Sequence, residues 1–178
     1  MQLTAIFLAG CILLNASTVP GGIARAGADE TAQVYISYIA DKPLLTPCGL
    51  SEEALQNDLK GRLKELAGVF LEAEEKTGVN ALFLAAVAAL ESGWGESKAA
   101  REKNNLFGWT GQNGYQQFES RKDCILTVAQ RLRDLYLTPG GRYFHGYTVE
   151  AVNRCYNGRP EWETAIVGIM ENIHGVGE

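Results

Sequence analysis

The apolar positions of the chain are densest between residues 81 and 90, where every residue is apolar, and this run ends at Glu91. Such a run without Pro or Gly predicts a helix, and a helix that is apolar on all sides belongs in the middle of a bundle. Glu91 is the only charged residue from 81 to 95. At helical spacing it lies beside Val87 and Ala88, so its stem rests on an apolar face.

A carboxyl group in these surroundings has its ionised form disfavoured, so we expect the pKa of Glu91 to be raised. A glutamate with a raised pKa, at a helix end that faces a cleft, is suited to act as a general acid. The alternative from the pattern alone is a surface glutamate that closes a core helix.

Helical periodicity and capping residues predict five further helices around the central one. Apolar residues recur at helical spacing after Ser51, a good N-cap, and Gly78 is a natural C-terminal breaker. The predicted helices run from 51 to about 76, from 81 to 91, from 98 to 103, from about 120 to 137, from 149 to 155 and from 160 to about 174.

Between the third and fourth predicted helices, Asn113 and Gly114 separate two runs that contain aromatic residues, which is a strong hairpin signal. We expect a two-stranded hairpin from about 105 to 119, with its turn near these two residues. The predicted fold class is therefore mainly α (α+β), a helical domain with a small β-hairpin lobe. A cleft between the two lobes would have Glu91 on its wall.

The N-terminus has the features of a secretory signal, since residues 1–28 combine a short apolar core with small residues at a cleavage position. An uncleaved anchor in the membrane is the next alternative, and Cys11 gives a partial match to a lipoprotein processing site. We expect residues 29–50 to be a linker, with a candidate strand at 34–39, and residues 51–178 to be the main domain. In each case the main domain would be secreted or otherwise act outside the cytoplasm.

The composition is that of an ordinary globular protein, with 46% hydrophobic and 21% charged residues, and the net charge of −5 argues against a general nucleic-acid binder. Cys124 and Cys155 both lie in predicted helices and could pair in an oxidising compartment. The alternative is that both are small buried apolar residues. The spacing of cysteine and histidine matches no zinc pattern, so we expect no metal and no cofactor. We also expect a monomer.

Two short motifs resemble a known family. Residues 88–95 are AALESGWG, Ser97 follows, and residues 104–108 are NNLFG. These motifs, in this order and at this separation, resemble the peptidoglycan N-acetylglucosaminidases of glycoside hydrolase family 73, which include bacterial autolysins and flagellar peptidoglycan hydrolases. The resemblance covers about residues 51 to 173.

The resemblance implies a lysozyme-like fold, with the catalytic glutamate at the end of a central helix and a small β lobe beside it. It implies cleavage of the β-1,4 bond after N-acetylglucosamine in the glycan strands of peptidoglycan, with Glu91 as the general acid. It also implies a tyrosine near the catalytic centre, just before the last helix, and Tyr156 is the best match.

Glycoside cleavage usually needs a second carboxylate beside the general acid. Some family members place one on the β lobe, and the candidates here are Glu119, at the end of the hairpin, and Asp123, in the first turn of the next helix. Asp123 is suited to stabilising its own helix N-terminus, so Glu119 is the candidate for the second catalytic group, although the pattern favours a surface role for it. If no carboxylate serves, the acetamido group of the substrate can assist, and Tyr156 would orient it.

Sugar rings pack on aromatic side chains, so the aromatic residues of the motif turn and hairpin are candidates for substrate binding. The predicted substrate-binding residues are Trp94, Asn105, Phe107, Trp109 and Tyr115. Each has a structural alternative: core support for Trp94 and Phe107, cross-strand pairing for Trp109 with Tyr115, and hydrogen bonding to the turn backbone for Asn105.

The leading functional hypothesis is a secreted peptidoglycan hydrolase. A lytic transglycosylase is the first alternative, because these enzymes share the fold class and use a single glutamate followed by serine. The adjoining Gly93-Trp94-Gly95 and the NNLFG motif favour the glucosaminidase. The second alternative is a wall-binding module without catalytic activity.

Overall fold

A computed structural model describes residues 40–111 and 114–174 of the protein. The predicted export signal, the candidate strand at 34–39 and the two residues of the hairpin loop lie outside the described residues. Within the described part, the secondary structure consists of α1 (Glu52–Asp58), a 3-10 helix (Gly61–Leu66), α2 (Ala67–Thr77), α3 (Ala81–Ser92), α4 (Lys98–Lys103), β1 (Thr110–Gly111), β2 (Gly114–Tyr115), α5 (Arg121–Tyr136), α6 (Val149–Tyr156) and α7 (Pro160–His174). The mainly helical fold class with a small hairpin is confirmed.

Helix α3 is the centre of the fold, as the apolar run predicted. Residues 81–89 are all buried. The helix begins where the Asn80 side chain accepts the N–H of Phe83 at 3.0 Å, which satisfies one of the free donors of the first turn. Helix α7 makes the most extensive contact with α3. Trp162, near the start of α7, lies at the end of α3 that carries Glu91.

The single helix predicted from 51 to about 76 is wrong, because the structure divides this segment into α1, the 3-10 helix and α2. Leu59 and Lys60 are extended, and Gly61 has a φ of +54°. A Cβ atom on Gly61 would lie 2.6 Å from the Trp94 carbonyl oxygen, and that oxygen accepts the N–H of Arg62 at 3.0 Å. The helix therefore breaks because the chain must pass close to the turn that follows α3.

Part of the predicted linker packs into the core. Leu44 and Cys48 are buried, and Leu44 exchanges backbone hydrogen bonds with Tyr147 and Asn80. The carboxylate of Glu74, on α2, accepts the N–H of Cys48 at 2.9 Å and that of Ala81 at 2.7 Å. The helical unit therefore begins before residue 51.

The hairpin is shorter than predicted, since each strand contains two residues and Thr110 pairs with Tyr115. The Trp109 carbonyl accepts the N–H of Gln116, so Trp109 lies opposite Gln116. Trp109 and Tyr115 are therefore not cross-strand partners, because neighbouring positions of a strand point to opposite faces. Each of the described helices is too short or too polar to cross a membrane.

The cysteines that the structure describes are all free thiols, so the pairing of Cys124 with Cys155 is not formed. Cys124 is buried and its sulfur accepts the N–H of Leu106 at 3.4 Å. Cys155 is exposed on α6, with its sulfur 3.3 Å from the Nε2 atom of His145. One thiol therefore lies in the core and the other on the surface, which keeps them from pairing.

Candidate active site

The turn after α3 fixes the position of Glu91. Ser92 is fully buried, and its hydroxyl donates to the Ala88 carbonyl and accepts the N–H of Gly95 at 2.7 Å. Gly93, Trp94 and Gly95 then all have positive φ, at 57°, 59° and 85°. A tryptophan rarely adopts this conformation, and such outliers persist where the surrounding contacts hold them. The ESGWG motif is thus a sharp left-handed turn that ends α3 directly after its carboxylate.

Glu91 is half-buried, and two groups lie against its carboxyl oxygens. The indole N–H of Trp162, near the start of α7, donates to Oε1 at 2.9 Å. Oε2 faces Gly108, where a Cβ atom would lie 3.6 Å away. Burial raises the pKa of the Glu91 carboxyl, and the hydrogen bond from Trp162 lowers it by less. The net shift is upward, which keeps the proton on the group to higher pH, as a general acid requires.

Tyr156 is brought into the same site. Its side chain is 1% exposed, and its ring centroid lies 5.0 Å from that of Trp162 and 5.9 Å from that of Tyr136. Burial, and next the charge of Glu91, raise the pKa of the Tyr156 phenol well above its usual value. The phenol therefore stays neutral beside the carboxyl group.

The two asparagines of the NNLFG motif hold the hairpin. Asn104 has a φ of 54°, and its side-chain amide donates to the carbonyls of Phe118 and Glu119. The Asn105 side chain is 1% exposed and donates to the carbonyls of Trp109 and Gln116 at 2.7 and 2.8 Å. These contacts support the backbone role that the sequence left open for Asn105.

The predicted aromatic residues divide into buried and accessible groups. Phe107 is fully buried in the core, so it supports the hairpin from inside. Trp94 and Trp109 are half-buried, with the Lys60 ammonium 5.6 Å from the ring centroid of Trp94. Tyr115 is 45% exposed. Trp94, Trp109 and Tyr115 therefore keep surface that a sugar ring could contact.

Glu119 and Asp123 lie at the junction of the hairpin and α5. The Glu119 side chain is exposed, and the backbone N–H of Glu119 donates to Asp123 Oδ2 at 3.4 Å. Asp123 occupies the first turn of α5, as the sequence predicted for a residue that stabilises its own helix. No described contact joins either carboxylate to Glu91, so their catalytic use stays a prediction.

Trp162 is the site residue that the sequence missed. The sequence pattern does not single it out, and it faces the core at 5% exposure. A buried indole N–H usually has a hydrogen-bond partner, and Glu91 is an obvious acceptor on an otherwise apolar helix. This rule could have indicated a partner for Trp162 from the sequence. The partner, Glu91, lies 71 residues away, so sequence proximity does not identify it.

Comparison with known proteins decides the family. The profile of a family described as mannosyl-glycoprotein endo-beta-N-acetylglucosaminidase, the glucosaminidase family, matches residues 67–175. The chain belongs to this family. The matched segment contains Glu91, Trp162 and both motifs.

Two similar proteins from strains of Streptococcus pneumoniae carry the provisional name endo-beta-N-acetylglucosaminidase. Each is 34% identical over 126 residues, which is 68% of this chain and 19% or 18% of the relative. The chain thus spans about a fifth of the length of these relatives.

Crystal structures of Staphylococcus aureus autolysin E share the fold. One matches with a TM-score of 0.65 at 22% identity and covers 88% of this chain and 81% of that chain. A second, of a catalytic mutant in complex with the disaccharide NAG-NAM, matches with a TM-score of 0.64 and covers 76% and 71%. The described fold is therefore shared with autolysin E.

Proposed function

We propose that this glucosaminidase-family chain is a peptidoglycan hydrolase that cleaves the β-1,4 bond after N-acetylglucosamine in cell-wall glycan strands. The observation that carries the proposal is the Glu91 carboxyl, which ends a buried helix, has a pKa raised by burial and is held by one hydrogen bond. Autolysin E, which shares the fold, was crystallised with NAG-NAM and with a muropeptide. That likeness supports a glycan strand as the substrate.

In this proposal Glu91 delivers its proton to the leaving oxygen of the glycosidic bond, as glycoside hydrolysis requires. Glu119 is the proposed second carboxylate, on the hairpin side of the cleft. The neutral phenol of Tyr156 would act on the buried side of the site, where it can orient the acetamido group if that group assists. Trp94, Trp109 and Tyr115 are the proposed sugar contacts, whereas Asn105 and Phe107 support the hairpin that carries two of them.

The test is Glu91→Gln, assayed by the clearing of purified cell walls, with Glu96→Gln as the matched control. Glu96 lies in the same turn, and its exposed ion pair with Arg62 contributes little to stability. We expect Glu91→Gln to lose clearing by at least a factor of 100, and Glu96→Gln to keep it. Full activity in Glu91→Gln would remove the assignment.

Mass spectrometry of the released fragments distinguishes the alternatives from the proposal. Reducing N-acetylglucosamine ends support the hydrolase, whereas anhydromuramic ends would make the protein a lytic transglycosylase. Binding of glycan without any turnover would make it a wall-binding module.

The rate of fragment release is also compared between Glu119→Gln and its control Gln117→Ala. A drop in this rate of about 100-fold for Glu119→Gln alone supports a second carboxylate. Unchanged rates would favour assistance by the acetamido group.

We further propose that residues 1–28 are an export signal and that the monomeric domain acts outside the cytoplasm, without metal or cofactor. The likeness to a protein named autolysin supports a site of action at the cell wall. Activity that is unchanged by a chelator, and a signal-dependent release of the protein from cells, are the expected results.

A further inference from the structure

The hydrogen bond between Trp162 and Glu91 has a donor whose position is fixed by packing. Trp162 is 5% exposed on α7, and its Nε1 atom lies 2.9 Å from Oε1 of Glu91. The indole is held in turn by the Tyr156 ring, at 5.0 Å between centroids. Tyr156 itself packs against Tyr136. The donor is therefore fixed by packing before any substrate arrives.

An indole N–H can only donate a hydrogen bond. Oε1 must therefore act as the acceptor whether the Glu91 carboxyl is ionised or neutral. In the neutral acid the proton then belongs on the other oxygen, Oε2. An amide or hydroxyl partner would not impose this choice, because both can donate and accept.

The surroundings of Oε2 are consistent with its being the oxygen that carries the catalytic proton. It faces Gly108, and even a Cβ atom at that position would lie 3.6 Å away, in ordinary contact. A longer side chain would cover the oxygen. Gly108 also has a φ of 62°, a conformation that favours glycine. Among the described residues, Oε1 accepts the hydrogen bond of Trp162 and no hydrogen bond to Oε2 is formed.

We propose that Trp162 is a positioning residue for Glu91, which holds Oε1 as an acceptor and so directs the catalytic proton to Oε2. The inference rests on the proposed function, because it names the oxygen from which the general acid delivers its proton. The proton moves from Oε2 to the leaving oxygen as the glycosidic C–O bond breaks. The anomeric carbon bonds to water, directly or after the acetamido oxygen, and Oε1 keeps its hydrogen bond to Trp162 throughout.

Among the described residues, Tyr156, from α6, is a titratable group that lies close to the Glu91 carboxyl. Its phenol stays neutral. Among the residues that the structure describes, no ion pair involves Glu91. Glu163 follows Trp162 on α7, and burial raises the pKa of its carboxyl too, so it needs a control of its own. Removing the indole N–H takes away the contact that lowers the pKa of Glu91.

A direct test observes the indole N–H signals of the full chain by NMR, with ¹⁵N-labelled tryptophan, as a function of pH. The sequence has three tryptophans. We expect one indole signal to titrate, to be absent from Trp162→Phe and to stop titrating in Glu91→Gln. Glu163→Gln should leave this titration in place. A signal that still titrates in Glu91→Gln, or in Trp162→Phe, would overturn the proposal.

If Trp162→Phe does not fold, Trp94→Phe and Trp109→Phe assign the titrating signal by elimination. The NMR readout does not depend on activity. If the Trp162 signal titrates but the protein cleaves no glycan, the proposed function is rejected, whereas the hydrogen bond between Trp162 and Glu91 is supported.

A kinetic test compares Trp162→Phe with Met170→Leu, which changes a buried residue on the same helix. For Trp162→Phe we expect the high-pH limb of activity to move to higher pH, because the acid keeps its proton longer. We also expect kcat to fall by about 10- to 100-fold with KM unchanged. Met170→Leu should leave the limb in place. If both variants lose rate equally without a shift of the limb, Trp162 is only a packing residue.

Discussion

Asn105 and Trp109 are hydrogen-bonded to each other in both directions. The Asn105 amide donates to the Trp109 carbonyl at 2.7 Å, and its Oδ1 atom accepts the Trp109 N–H at 2.9 Å. A third bond reaches the Gln116 carbonyl on the opposite arm. One buried side chain therefore closes the base of the hairpin.

Asn105→Ala is expected to lower the free energy of unfolding by about 1–3 kcal/mol, because three backbone groups lose a buried partner. Chemical denaturation measures the change, and Gln117→Ala is the control, since Gln117 is exposed on the same hairpin. The control should stay within about 0.5 kcal/mol of the wild type. Equal stability of both variants would show that the hairpin does not depend on Asn105.

Glu91→Gln is expected to stabilise the fold at neutral pH while it removes activity. The pKa of Glu91 is raised in the folded state above its ordinary value of 4.5, so the folded protein holds the proton more tightly than the unfolded chain. The wild type therefore loses stability as the pH rises from about 4.5 through the folded-state pKa, and the variant lacks this loss.

Thermal unfolding of both proteins between pH 4 and pH 8 measures this difference. A gain of about 1 kcal/mol corresponds to about 2–4 °C in a protein of this size. The difference should be smallest at the acid end and should stop growing above the folded-state pKa. If Glu91→Gln is less stable than the wild type at every pH, the raised pKa of Glu91 in the folded state is contradicted.

Gly61→Ala is expected to destabilise the protein more than Gly140→Ala does. Both glycines have positive φ, at 54° and 88°, which costs an alanine about 1–2 kcal/mol. A Cβ atom at Gly61 would also meet the Trp94 carbonyl at 2.6 Å, whereas nothing lies within 4 Å at Gly140. Denaturation curves give the comparison, and equal losses would show that the contact with Trp94 relaxes easily.

Cys155 is expected to be the only described cysteine that reacts quickly with an alkylating reagent in the folded protein. Cys155 is exposed, whereas Cys48 and Cys124 are buried, and burial raises the pKa of the Cys124 thiol to about 12. Peptide mapping after brief treatment with iodoacetamide locates the label. Rapid labelling of Cys124 would show that the core opens on that timescale.

The helices, and the position of Glu91 at the end of a buried helix, could be predicted because they depend on local patterns. The apolar run predicted α3 to within one residue, and Ser97 and Thr148 cap helices that begin where predicted. The motif spacing, through the family resemblance, singled out Glu91 as the candidate acid, which stays a prediction. These features need only periodicity, caps and a short sequence match.

The remaining features depend on contacts between distant parts of the chain. The break at Gly61 follows from the close approach of the Trp94 carbonyl, which no periodicity reports. The separation of Cys124 from Cys155 depends on which face each helix turns inward. The bond from Trp162 needs the packing of α7 on α3, which sequence spacing does not determine.

The 71-residue separation of Trp162 from Glu91 has a consequence for how activity returns after denaturation. Helix α3 can form early from local contacts, but its carboxyl acquires the indole partner only when the last helix docks. Helical signal in circular dichroism should therefore recover before hydrolysis does. Under the proposed function, the return of hydrolysis would therefore report the final docking step of refolding.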